Sequence, residues 1–213
     1  MFKIFPQTHK IIASEISKNI KEIHHIELDE KVIRKGSVIP DFALKYKLIR
    51  HYQDESLDFI ASEIVQLIYI SKFLNYTALD KINKKLLSTK IGVISHYLSD
   101  YVCLPHKERW TFKDSMSQHV RYESQLGKVA LHHDFNKNIL TVEDMDPFHG
   151  ESVNLKRMVK SYIESVVEEY SYKRDYKRDL DFALSLNIKI TNFIVEVVLE
   201  MNKQESLAKS FVF

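Results

Sequence analysis

The sequence predicts an all-α fold, a single compact multi-helix domain over residues 1–213, and three observations carry that reading. The 213 residues include only four glycines and four prolines, so turns are few and elements long. Apolar residues recur three and four apart rather than in alternation, which is the spacing of one helix face. Hydrophobic residues make up 45% and charged residues 28%, an ordinary globular balance that excludes a disordered chain.

Taken in order, Ile12, Ile16, Ile20 and Ile23 form one stripe that His9 extends backwards, so the first helix opens at Thr8-His9. Glu22 to Ser37 reads as a connection, closed by Gly36 and Pro40. The second helix, about Asp54 to Leu74, carries Phe59, Ile60, Ile64, Leu67, Ile68 and Phe73. A third runs from about Ala78 to Leu104 and stops at Pro105, whose ring and missing N–H end a helix. Asp114 and Ser115 are N-cap residues for a fourth, reaching about His133. Two more follow, near Glu151–Tyr170 and Asp175–Asn202. Between them the run Tyr172-Lys-Arg-Asp-Tyr-Lys-Arg-Asp179 interleaves basic and aromatic residues, but two aspartates interrupt it, and it reads as a solvated turn and helix start.

The bulk numbers narrow the function. A net charge of +2 is too small to point to nucleic acid, and no nucleic-acid partner is expected. Cys103 is the only cysteine, so no intrachain disulfide forms, which fits a reducing compartment. Met1 to His9 shows no apolar export segment and no small-residue cleavage site. Polar residues break every apolar run well short of the ~20 residues that span a bilayer. The expectation is a soluble, cytoplasmic protein.

The chemistry lies in Ser95-His96-Tyr-Leu-Ser-Asp100-Tyr-Val-Cys-Leu-Pro105-His106 and His119-Val-Arg-Tyr-Glu123. Residues four apart share a helix face, so His96 projects with Asp100 and His119 with Glu123. His106 follows the Pro105 break, where it can bend back to either pair. Facing helices that present imidazole and carboxylate at this spacing build metal sites in bundle cores. Ile91, Ile94, Leu98 and Val102 form one apolar stripe while Val93, Tyr97 and Leu104 flank the pair, so this helix belongs in the middle of the fold. An ionised Asp100 there is costly unless it is paired or metal-bound. A plain buried His–Asp hydrogen bond explains one pair, but it leaves His106 and the second pair unexplained. Nitrogen and oxygen ligands without cysteine suit zinc in a hydrolytic role. Upstream, Gly36-Ser-Val-Ile-Pro40-Asp41 presents a carboxylate after a rigid turn, His51 lies ten residues on, and His9 opens the first helix. Singly, Asp41 also reads as a helix cap, His51 as an exposed side chain and His9 as a surface histidine.

In this order the residues resemble the zinc-dependent phospholipase C family of bacteria. The pattern is Thr-His, then Gly-x-x-x-Pro-Asp, then His, then His-x-x-x-Asp-x5-His, then His-x-x-x-Glu, running from His9 to Glu123. The resemblance implies that Asp41, His51, His96 and Asp100 hold one zinc and His106, His119 and Glu123 a second. A third would be bridged by Asp100 and bound by His9, giving two or three ions per chain. It further implies a phosphodiester hydrolase that releases a phosphomonoester head group by attack of a metal-bound hydroxide, with Asp41 as both ligand and general base. The substrate would be a phospholipid or small phosphodiester, with peripheral membrane contact. In secreted relatives a mature N-terminal tryptophan also holds the third zinc, whereas here the only tryptophan is Trp110. His24 and His25 read either as substitute ligands or as a solvated pair. Single-strand zinc nucleases share the architecture. They typically end the pattern with His-x-x-x-Asp, so Glu123 and the short step from His106 to His119 favour the phospholipase branch. A third reading is a non-catalytic, zinc-stabilised helical protein of the same family. His132-His133 closes the fourth helix, His149 lies in a turn, Cys103 reads as core filler, and Phe42 and Tyr52 read as core or as pocket lining.

Overall fold

The computed structural model describes residues 6–74, 76, 79–110, 115–148, 154–170 and 175–210, and every regular element among them is helical. In chain order these are α1 (Gln7–His24), α2 (Glu30–Gly36), α3 (Ile39–Phe42), a 3-10 turn (Leu44–Tyr46), α4 (Gln53–Ser71), α5 (Lys81–Tyr101), α6 (Leu104–Lys107), α7 (Met116–Ala130), α8 (Leu155–Glu169) and α9 (Tyr176–Ser210).

The core forms around α5, which packs against α1, α2, α4 and α9. Every residue from Ile91 to Tyr101 is buried, so this half of the helix meets protein on all sides, as its apolar pattern requires. Its closest neighbour is α2, and two glycines make the approach. A Cβ on Gly92 would stand 2.4 Å from the Ile33 carbonyl oxygen, and one on Gly36 would stand 2.8 Å from the Thr89 carbonyl oxygen. Ser88, one turn before Gly92, accepts the Asp29 N–H at its Oγ at 2.9 Å and locks the same crossing.

Several boundaries differ from the sequence reading. The expected Glu22–Ser37 connection contains α2, which the Asp29 side chain caps by accepting the Val32 N–H at 3.1 Å. A helix this short carries too little periodicity to stand out in sequence. Pro105 does not terminate the third helix. That helix ends at Tyr101, and Pro105 instead sits in the first turn of α6, where a missing N–H costs nothing. Ile23 is 53% exposed because the last turn of α1 runs past the core, and Phe73 is 85% exposed because it follows the end of α4. Ser115 takes the N-cap position of α7 without a side-chain cap, and α7 stops at Ala130 rather than His133. Ala78, Asp114, His149, Glu151 and Tyr172–Arg174 lie outside the described residues. By length and composition α9 could cross a membrane over Tyr176–Glu205, which the sequence reading missed. Of its most apolar window 78% is buried inside the fold, as a core helix would be. Asp179, read as part of a solvated run, is 1% exposed.

Candidate metal centre

The Gly36–Gly92 crossing sets the first half of the site. It brings the Ser37 carbonyl to 2.9 Å from His96 Nδ1, one turn beyond Gly92. An amide oxygen can only accept, so His96 donates from Nδ1 and its Nε2 lone pair faces the interior. The same device orients His119, whose Nδ1 donates to the Trp110 carbonyl at 3.1 Å. Trp110 reaches that position because Arg109 turns the chain at φ 51°, a left-handed conformation uncommon outside glycine. The Arg109 guanidinium, stacked 4.6 Å from the Tyr52 ring centre and paired with Asp54 and Glu55, holds this turn against the start of α4.

Asp100 is the hub. His51 Nδ1 stands 2.9 Å from its Oδ2 and His96 Nε2 3.3 Å, while His9 Nε2 and His106 Nε2 stand 3.4 and 3.6 Å from its Oδ1. Asp41, in the first turn of α3, places Oδ1 3.5 Å from His96 Nε2 and 3.9 Å from His51 Nδ1. Glu123 Oε1 lies 2.8 Å from His119 Nε2 and 3.4 Å from His106 Nε2. All eight sequence-predicted residues therefore converge, in three groups, the first two sharing His96: His9, His96 and Asp100; Asp41, His51 and His96; and His106, His119 and Glu123. Within each group the donor atoms lie within 4.8 Å of one another. His24 instead bonds Asn192 at 3.1 Å, and neither it nor His25 joins a group. His133 meets Asp181 at 2.6 Å and pins the segment after α7 to α9.

Electrostatics and unfilled valences fit a cation. Burial pushes the Asp100 carboxyl up, but His106, His96 and His9 outweigh it and hold it well below the ordinary range. Burial likewise raises Glu123, yet bonds from His106 and His119 bring it down to about 2. Burial raises the Asp41 carboxyl to about 6. His96 is fully buried and, with His9 beside it, is held well below the ordinary imidazole range, so it is neutral as a ligand must be. Asp41 Oδ2 and His9 Nδ1 are buried with no hydrogen-bond partner. A native fold rarely leaves such atoms orphaned, and a bound cation satisfies the carboxylate oxygen.

Behind the cluster lies a residue the sequence reading missed. Asp179 Oδ2 accepts from the Leu104 N–H at 3.1 Å and from the Tyr122 hydroxyl at 2.9 Å, and its Oδ1 accepts from Tyr170. Leu104 begins the helix of His106, and Tyr122 precedes Glu123, so Asp179 ties both carriers of the second group to α9. Burial raises its own carboxyl to about 6. A cavity of about 30 Å3, room for one water, separates Asp179 from His9, Asp100 and Glu123. The legible signal was helical phase, since Asp179, Ala183, Leu186 and Ile190 share the buried face of α9. Cys103, beside Asp179, is buried and its thiol is pushed well up, which suits a core residue.

On its open side the cluster forms the floor of a cleft of about 570 Å3, walled by Tyr46, Lys47, Ile49, Arg50, Tyr52 and Trp110. Tyr52 thus lines the cleft, whereas Phe42 is 54% exposed and is neither core nor lining. A helical bundle that gathers histidines and carboxylates beneath an open cleft presents groups able to hold metal ions within reach of a ligand. The family described as zinc dependent phospholipase C matches residues 8–177, most of the chain, and the chain belongs to that family. No curated protein and no solved structure matches it.

Proposed function

We propose that this protein is a zinc-dependent phosphoric diester hydrolase of phospholipase C type. It acts on a phospholipid or small phosphodiester and releases a phosphomonoester head group. The observation that carries this reading is Asp100, a buried carboxylate that faces four imidazoles beneath an open cleft.

In this reading His51, His96, Asp41 and Asp100 hold one zinc, and His106, His119 and Glu123 hold a second. His9 joins Asp100 at a third. Zinc at such a site neutralises a phosphodiester and makes a coordinated water acidic enough to act as nucleophile. Asp41, on the floor of the cleft, is also the carboxylate placed to take a proton from the attacking water. Lys47 and Arg50, on the cleft wall, attract and orient the anionic substrate. Water adds to phosphorus, and the phosphorus–oxygen bond to the glycerol side breaks. The proton ends on the departing alkoxide, giving diacylglycerol from a phospholipid.

The test is hydrolysis by zinc-loaded protein across several phospholipid head groups, beside Asp41→Asn. Zinc-dependent release of phosphomonoester, lowered about 100-fold or more in the variant, is the expected outcome. Digestion of single-stranded nucleic acid instead would move the protein to the nuclease branch. A zinc-loaded protein inactive on every substrate would make the cluster a stabilising site.

A further inference from the structure

The segment between the proposed ligands Asp41 and His51 presents an exposed apolar and basic surface beside the cleft. Tyr46 is buried and Ala43 and Ile49 pack on the core, so the segment is fixed to the body of the fold. The side chains between these anchors face water: Phe42 is 54% exposed, Leu44 79% and Leu48 92%. Single exposed apolar residues are ordinary, but three large ones within one anchored loop mark an interaction surface. The same loop carries Lys45, Lys47 and Arg50, and no acidic residue from Phe42 to Arg50. The carboxylates beside it are already occupied, since Glu55 lies 3.5 Å from Arg50 and, with Asp54, holds Arg109. Lys47 and Arg50 also wall the cleft, which makes the strip continuous with its mouth.

We propose that this strip docks the mouth of the cleft onto an anionic phospholipid bilayer. Phe42, Leu44 and Leu48 enter the boundary between head groups and acyl chains, and Lys45 and Lys47 meet lipid phosphates, while Arg50 stays paired with Glu55 at the mouth of the cleft. Apolar insertion and attraction to anionic lipid are each weak alone and together hold a peripheral protein. An apolar wedge ringed by cations fits an anionic lipid surface better than a neutral one, because each cation near it strengthens binding about fivefold. Docking here would deliver a lipid phosphodiester to the cluster without the lipid leaving the bilayer. The inference rests on the phospholipid reading of the cleft, but vesicle binding is measured separately from hydrolysis.

The experiment is flotation of the zinc-loaded full chain with vesicles of phosphatidylcholine alone or mixed with phosphatidylglycerol. Wild-type protein binds the mixed vesicles at least about tenfold more tightly than the neutral ones, and added salt erases the difference. Leu44→Ser combined with Leu48→Ser weakens binding about 100-fold, a tenfold loss for each leucine withdrawn. Lys45→Gln weakens it about fivefold. Neither leucine lines the cleft, so the double variant keeps its zinc and its hydrolysis of a soluble short-chain phosphodiester. Wild-type protein that ignores anionic vesicles overturns the proposal, as does a double variant that binds like wild type. Vesicle binding lost in the variant, with neither protein hydrolysing lipid, would uphold docking while the enzymatic reading fails. Hydrolysis of vesicle lipid without measurable binding would do the reverse.

Discussion

Replacing Gly92 with alanine probes the contact on which the first half of the site depends. The added methyl would stand 2.4 Å from the Ile33 carbonyl oxygen, 2.8 Å from the Ser37 nitrogen and 2.9 Å from the Gly36 carbonyl carbon. All three are backbone atoms, so no rotamer change relieves the clash and α2 must move off α5 by about 1 Å to reach ordinary contact. Ser37 travels with α2, and its carbonyl, now 2.9 Å from His96 Nδ1, would pass the limit of a hydrogen bond near ~3.5 Å. Overpacking of this kind costs about 1–3 kcal/mol. Alanine's helix propensity returns about 1 kcal/mol, so net destabilisation reaches about 2 kcal/mol. For a domain of this size that lowers the melting temperature by roughly 4–8 °C. Loss of the bond that orients His96 should weaken zinc binding a further ~10- to 100-fold. The assays are calorimetric melting of metal-free protein and competitive titration against a zinc chelator. Gly127→Ala is the control, since its methyl would meet only Thr8 Oγ1 at 3.6 Å and Gln7 Cβ at 3.8 Å, and alanine there should be neutral or slightly stabilising. A Gly92→Ala protein that melts higher than wild type and binds zinc equally well would refute the argument.

Two further outcomes follow from the same geometry. Zinc affinity should fall as pH drops below about 6, by roughly tenfold per unit from Asp41 alone. The sign follows from the protonation state: burial raises Asp41 in the metal-free protein, only its ionised form binds, and acid fills it with a proton. Glu123, held at about 2, stays ionised across this range and adds nothing to the loss. Chelator titrations at pH 7.5 and 5.0 that gave equal affinities would contradict this (both values bracket the Asp41 transition). Asp179→Ala should lose about 3 kcal/mol, because it strands the buried Leu104 N–H and two tyrosine hydroxyls, and should also release zinc from the His106, His119 and Glu123 group. Asp179→Asn keeps an acceptor for Leu104 and should recover part of both. Lowered stability with full zinc content would reduce Asp179 to a packing residue.

The fold class was legible because helical spacing is a local property, repeated over long stretches such as Ile12–Ile20 and Ile91–Val102. The candidate ligands were legible for a related reason. His96 with Asp100, and His119 with Glu123, are i, i+4 pairs, so local geometry already puts each pair on one face. The elements that position them were not. α2 is seven residues long and depends on the Asp29 cap and the Gly36–Gly92 crossing, which joins residues far apart in the chain. Ser37 and Trp110 act through backbone carbonyls, which carry no residue signature at all. Asp179 was hidden by its neighbours, because a run of lysine, arginine and aspartate looks solvated until helical phase separates one aspartate onto the core side. The exposure of Phe42, Leu44 and Leu48 was equally out of reach, since alternating burial in an irregular loop follows from tertiary anchors such as Tyr46.

The central claim is that eight nitrogen and oxygen donors, gathered around Asp100, hold a zinc cluster. The most direct test is elemental analysis of purified, untagged protein, reported as moles of zinc per chain beside Asp100→Asn. Two or three zinc ions in the wild type, reduced in the variant, is the predicted result. A value near zero that persists after reconstitution with zinc would contradict it.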